Sequence, residues 1–143
     1  MRSNKIVGFS MLELLVAVAV VGVLTAISVP MYQKYVIRTN RTAVQSAMIK
    51  ISQNLATYKL VNSSYNIGLS SPTIYGGSVY PLSGVSTTYN LTLDTITVPG
   101  AWTLTAAPVG KQLNDGSVLL NDQGWQCWTK TTTPCVLSAT SKW

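Results

Sequence analysis

Four acids, two thiols and no histidine are all that this 143-residue chain offers to acid–base, nucleophilic or metal chemistry. The acids are Glu13, Asp94, Asp115 and Asp122. Without histidine there is no side chain that titrates near neutrality unperturbed, and no imidazole metal ligand. Asp115 and Asp122 stand in Asn114-Asp115-Gly116 and Asn121-Asp122-Gln123-Gly124. Asn, Asp and Gly tolerate left-handed backbone, so a tight-turn role is expected for both acids. The carboxylates are too scattered for an EF-hand loop. No phosphate-cradling glycine loop and no nucleophile elbow is present. Two cysteines eight apart, with no histidine, make a poor metal or redox centre. The inventory argues against an enzyme, and no cofactor or metal is expected. Recognition is the chemistry that remains. Trp125, Trp128, Lys130, Lys142 and Trp143 crowd the C-terminal end. Aromatics interleaved with lysines can stack on bases and neutralise phosphates, which makes Trp125, Lys130, Lys142 and Trp143 possible DNA contacts. The alternative, which carries more weight, is packing: Trp128 fills a core, and Trp125 and Trp143 cover a loop or meet a neighbour.

These residues need elements to position them, and the N-terminus supplies the strongest pattern. A basic leader ends at Gly8, and an apolar run follows to Val29, broken by one acid, Glu13. The stretch from Phe9 to Val29 is about 30 Å long as a helix, the thickness of a bilayer core. A charged side chain there costs on the order of 2.5 kcal/mol or more, so Glu13 points to a partner for the acid. A secretory signal is usually shorter and followed by a small-x-small cleavage site. Here the run passes straight into a patterned helix.

The residues Gly8-Phe9-Ser10-Met11-Leu12-Glu13 resemble the class III leader and cleavage motif of type IV pilins and their pseudopilin relatives. Tyr32-Gln33-Lys34-Tyr35 and the helix after it extend the likeness to about residue 62. The departures are mild, with Ser10 and Met11 in place of the commoner residues. The resemblance implies a leader, residues 1–8, removed by a prepilin peptidase between Gly8 and Phe9, with methylation of the new Phe9 amine. Glu13 then takes the family's position for an assembly acid. It lies four residues from that amine, on one helical face. It can pair with the amine of its own chain or of a neighbour, as a register device. Pro30 sits where pilins often carry a helix-loosening proline, and a kink or local melting is expected there. Cation counts on the two sides of the run, Arg2 and Lys5 against Lys34, Arg38 and Arg41, orient it weakly the other way. The cleavage motif outweighs that difference of one residue.

Residues 31–62 carry apolar side chains at Val44, Ala47, Met48, Ile51, Leu55 and Tyr58, the spacing of an amphipathic helix. Lys34, Arg38, Arg41, Gln45, Lys50 and Lys59 form its polar face. Residues 63–86, rich in Ser, Gly and Pro, read as a loop without regular structure. Four alternating stretches follow: Thr87–Leu93, Ala101–Ala107, Ser117–Asn121 and Gln126–Thr131. Turn residues separate them at the spacing of a meander. The expected fold class is α+β: a fibre-core helix over 9–30, an amphipathic helix over 31–62, and a loop with a small antiparallel sheet over 63–143. This is also the type IV pilin fold that the resemblance implies. An even cysteine count in such an exported domain reads as one disulfide, Cys127–Cys135. Its short loop is worth about 2.5 kcal/mol in the chain-entropy model. Many pilins carry a wider C-terminal staple, so this tight one is a departure.

The resemblance implies a structural subunit, more like a minor pilin than a main fibre subunit. It would be a single-pass inner-membrane protein before assembly and part of an extracellular pilus afterwards. Its partners would be other pilin subunits, the prepilin peptidase and an inner-membrane assembly platform. The alternatives are a DNA-binding pilin for DNA uptake and a pseudopilin of a secretion system. Residues 67–143 carry three lysines against three aspartates, which weighs against DNA as a ligand.

Overall fold

The computed structural model describes residues 9–82, 86–95, 100–130 and 135–143. It divides into two compact units, one ending at Val36 and the other spanning Ile37–Trp143. The leader, Gly8 included, lies outside the described residues.

Helix α1 (Met11–Asn62) begins where the Ser10 carbonyl accepts from the backbone N–H groups of Glu13 and Leu14 at 3.1 and 3.2 Å. Glu13 lies in the first turn, where the helix dipole favours an anion. From Leu14 to Val29 its apolar side chains are exposed. A helix that is apolar all round and unburied has its partner outside the chain. By length and composition this segment can cross a membrane. Thr25 donates to the carbonyls of Val21 and Gly22, and Ser28 to that of Leu24, at 2.8–3.0 Å. Hydroxyls in an apolar segment are satisfied in this way by their own helix. The helix runs through Pro30 unbroken, so the melting expected there is not seen.

In the second unit, α1 buries Val44, Met48, Ile51 and Leu55. These positions fall on one stripe, three or four residues apart, as a helix packed on one face requires. The stripe joins a core with Tyr89, Leu91, Trp102, Leu104, Ala106, Val118 and Leu120. Those residues belong to a five-stranded antiparallel sheet in sequence order. The strands are β1 (Val79–Tyr80), β2 (Tyr89–Asp94), β3 (Thr103–Pro108), β4 (Val118–Asn121) and β5 (Gln126–Trp128). Period-2 alternation sets the register. Leu91 pairs with Ala106, which pairs with Val118, which pairs with Trp128. The adjacent row, Thr92, Thr105, Leu119 and Cys127, projects from the opposite face.

Two elements depart from the sequence-based expectation. The first is β1, inside the segment read as irregular. Val79 pairs with Asn90 and Tyr80 with Tyr89, so β2 imposes the strand on a neighbour too short to show a pattern. The same segment also adds Leu69 and Ile74 to the core, held by Asn54 Nδ2 donating to the Ile74 carbonyl at 2.8 Å. The second is a 3-10 helix, Gly110–Asp115, between β3 and β4. Its cause is tertiary: it buries Gln112 and Asp115, polar residues with no apolar period to announce them.

Candidate functional site

The N-terminal processing and assembly residues can be followed from Phe9 onward. Phe9 is 73% exposed, and Glu13 is also exposed. Pro30 lies within α1.

The C-terminal residues are built on β4, β5 and the tail. The turn between β4 and β5 is closed by Asn121. Its side-chain oxygen accepts the Trp125 backbone N–H at 2.8 Å, and its own N–H donates to the Trp125 carbonyl at 3.2 Å. Gly124 supplies the left-handed residue there, with φ 76°. Trp125 is thus presented at the turn, 37% exposed. Cys127 and Cys135 form a disulfide with their Cα atoms 6.1 Å apart. This ties β5 to the tail that carries Lys142 and Trp143. Lys130 and Lys142 are exposed. Trp143 is not free in the same way: it is half-buried and packs against the core, where the packing reading had it cover a loop or meet a neighbour. Residues 131–134 lie outside the described residues, so the expected extension of β5 to Thr131 does too.

Trp128 does more than fill space. Its indole N–H donates to the Asp115 carbonyl at 2.7 Å. The Arg41 guanidinium lies 3.7 Å from the centroid of its ring, a cation–π contact. Arg41 Nη1 also donates to Asp115 Oδ1 at 2.7 Å, a pair whose side chains are 16% and 5% exposed. Asp115 Oδ2 accepts from the Tyr89 hydroxyl at 2.9 Å and from Gln112 Nε2 at 3.0 Å. Gln112 Nε2 also lies 2.7 Å from the Ile37 carbonyl, and its Oε1 accepts from Asn40 at 3.3 Å. Among the described residues no buried side-chain polar atom lacks a partner. Burial, and then the hydrogen bond to Asp115, hold the Tyr89 phenol far above its ordinary range.

This network corrects two sequence-based expectations. Asp115 stands at the end of the 3-10 helix, but its carboxylate works as the hub of a buried ion pair. Arg41, assigned to the polar face of the helix, is the cation of that pair. The sequence held one signal for it. Arg41, Val44, Met48, Ile51 and Leu55 are spaced by three and four, so Arg41 continues the buried stripe. An arginine on a buried stripe requires an acid, and the chain has few to choose from.

The unit Ile37–Trp143 carries seven Lys and Arg against three Asp, a net charge of +4. Residues 67–143 alone balance at three lysines and three aspartates, so the excess lies in the helix. Arg41 is neutralised by Asp115, and Lys59 Nζ donates to the Gly100 carbonyl at 3.2 Å. Arg38, Lys50, Lys111, Lys130 and Lys142 are exposed. An open cleft of about 370 Å³ lies along α1, lined by Asn54, Thr57, Tyr58, Val61, Asn62 and Thr73. None of these supplies an acid, a base or a thiol.

Residues 30–129 match the model of a family described as type IV minor pilin ComP, DNA uptake sequence receptor. A fimbrial protein of Pseudomonas aeruginosa is 32% identical over 89 residues, covering 54% of this chain and 56% of the relative. The type IV major alpha-pilin of Moraxella bovis is 31% identical over 75 residues, 45% of this chain and 47% of the relative. The type IV major fimbrial protein FimA of Dichelobacter nodosus is 44% identical over 39 residues, 27% and 25%. The chain thus spans about half the length, or less, of the curated relatives it matches. No solved structure gives a significant match. The family's model covers the helix from Pro30, the core, the Arg41–Asp115 network and all five strands, and the chain belongs to the type IV minor pilin ComP family.

Proposed function

We propose that this chain is a minor subunit of a type IV pilus and that its second unit, Ile37–Trp143, captures DNA. The observation that carries the proposal is the match of residues 30–129 to a family described as a DNA uptake sequence receptor. The charge of the unit supports it. A net charge of +4, with six exposed cations, gives phosphates something to release counterions against. Trp125, Lys130 and Lys142 supply the contacts: the lysines neutralise phosphates, and the exposed tryptophan stacks on a base or packs on a sugar. Trp143 contributes from beneath, through packing. The work is binding and polymerisation, with no bond made or broken by the protein.

Assembly uses the other end. A prepilin peptidase removes residues 1–8, and Phe9 becomes the methylated N-terminus. The apolar helix holds the subunit in the inner membrane until the assembly platform transfers it to a fibre of other pilins. Glu13 meets an N-terminal amine there, and Pro30 gives the helix local give in the fibre. The fimbrial relatives favour a second reading, in which the chain is a purely structural subunit.

Deletion of the gene separates the two, with surface fibres and DNA uptake scored in the same cells. Uptake is expected to fall while fibres persist. Loss of fibres and uptake together, with uptake restored by a subunit carrying Lys130→Ala and Lys142→Ala, would favour the structural reading.

A further inference from the structure

The buried network and the backbone next to it bear on how the exposed C-terminal residues are held. Arg41, Asp115 and Trp128 close a ring of three contacts. The guanidinium binds the carboxylate, the same guanidinium covers the indole, and the indole N–H returns to the Asp115 carbonyl. One element contributes each member: α1, the 3-10 helix and β5. Gly116 follows directly, buried and with φ 83°. A Cβ there would run into the Thr129 carbonyl and would stand 3.0 Å from Lys130 Cα. The backbone leaving β5 therefore rests on the backbone that carries the ion pair.

We infer that the Arg41–Asp115–Trp128 clamp positions the Thr129–Lys130 backbone, and with it the exposed lysine, so that Arg41 governs DNA capture without touching DNA. The inference rests on the DNA-capture reading. By type and place, Arg41 would count as one more phosphate contact on a basic helix. The geometry assigns it otherwise. Its charge is matched by a carboxylate 2.7 Å away, and its flat face is occupied by Trp128. Lysine cannot replace it there, because an ammonium lacks the planar fork that binds and stacks at once.

Salt dependence together with coupling to Lys130 distinguishes the two roles. Each phosphate contact contributes about 0.9 to the slope of log K against log salt. A residue that acts by placing Lys130 has no effect of its own once Lys130 is gone, whereas an independent phosphate contact lowers affinity with or without Lys130. The test uses the full chain in a neutral detergent and a DNA duplex enriched by it from a random pool. Affinity is measured between about 50 and 200 mM salt. Arg41→Lys is expected to weaken binding roughly tenfold, the scale of a lost charge-assisted fork, and to have no further effect when added to Lys130→Ala. Gly116→Ala, which alters no charge, should do the same. Lys130→Ala should lower the slope by about one. Amide hydrogen exchange supplies a readout that general destabilisation would not mimic. In Arg41→Lys, exchange should quicken at 126–130 and 135–143 while β2 and β3 stay protected.

Unchanged affinity in Arg41→Lys, or an undiminished further loss when Arg41→Lys is added to Lys130→Ala, would overturn the inference. So would exchange quickened equally across the sheet. If the unaltered chain binds no DNA, the DNA-capture reading fails, and the inferred role for Arg41 in capture fails with it. Binding by the unaltered chain with no effect of Arg41→Lys or Gly116→Ala refutes the clamp alone.

Discussion

Asp115 shows what one carboxylate can organise. It takes a guanidinium, a phenol and an amide on its two oxygens, and its own carbonyl receives the Trp128 indole. Removing one partner of a buried pair strands the other charge, which costs more than the pair contributes. Asp115→Ala is therefore expected to destabilise the second unit by about 3 kcal/mol, measured by chemical denaturation. Tyr89 adds a pH signature. Its folded pKa is raised, by burial first and by Asp115 second, so the folded state holds the phenolic proton more tightly than the unfolded chain. Stability from this group is complete below pH 10 and declines as pH rises above it, because only the unfolded chain ionises readily there. Tyr75 shifts the same way, from burial and the neighbouring Tyr80. Tyr89→Phe should flatten part of the alkaline fall in melting temperature. An alkaline limb as steep as in the unaltered chain would show that Tyr89 does not report on the fold. Arg41 was placed on the polar face by its type, although its spacing continues the apolar stripe. Gln112 was not legible, since nothing local distinguishes a glutamine that will be buried.

Elements with a long period were the easiest to read. The helix stripe at Val44, Met48, Ile51 and Leu55 was plain in the sequence, because burial on one helical face leaves a 3.6-residue signature. The stretches read as strands at Thr87–Leu93, Ala101–Ala107 and Ser117–Asn121 correspond to β2, β3 and β4 with ends shifted by one or two residues. A two-residue edge strand has no period, and β1 exists because Asn90 and Tyr89 offer it partners. The 3-10 helix likewise follows from the acid it must deliver to Arg41. At the other end, α1 carries an acid in a segment with no partner of its own. Glu13→Ala is expected to insert into membranes as well as the unaltered chain or better, since the desolvation cost is gone. Its incorporation into fibres should fall if, as proposed, this acid meets an N-terminal amine on assembly. Mixed expression, with fibre content counted by mass spectrometry, measures this. Equal incorporation of the two forms would remove Glu13 from the assembly account.

At the scale of the whole molecule, the two units differ in character. The apolar unit ending at Val36 carries the features for membrane and fibre, and Ile37–Trp143 carries charge and aromatic surface on a folded core. Over residues 67–143 lysines and aspartates balance, so the positive charge of the unit comes from the cations of its helix. With them the unit is basic by four, although Asp115 absorbs Arg41 internally. The central claim is that the exposed C-terminal residues of this unit capture DNA. Fluorescence anisotropy with labelled duplex and single-stranded DNA, across about 50–200 mM salt, tests it most directly. The full chain in neutral detergent should bind with a Kd below about 1 µM at the low end and weaken steeply as salt rises. The triple change Trp125→Ala, Lys130→Ala and Lys142→Ala should abolish this binding while the melting temperature stays close to that of the unaltered chain. Preference for duplex or for single strands then shows whether the lysines or Trp125 dominate. No salt-sensitive binding by the unaltered chain, or equal binding by the triple variant, would contradict the claim.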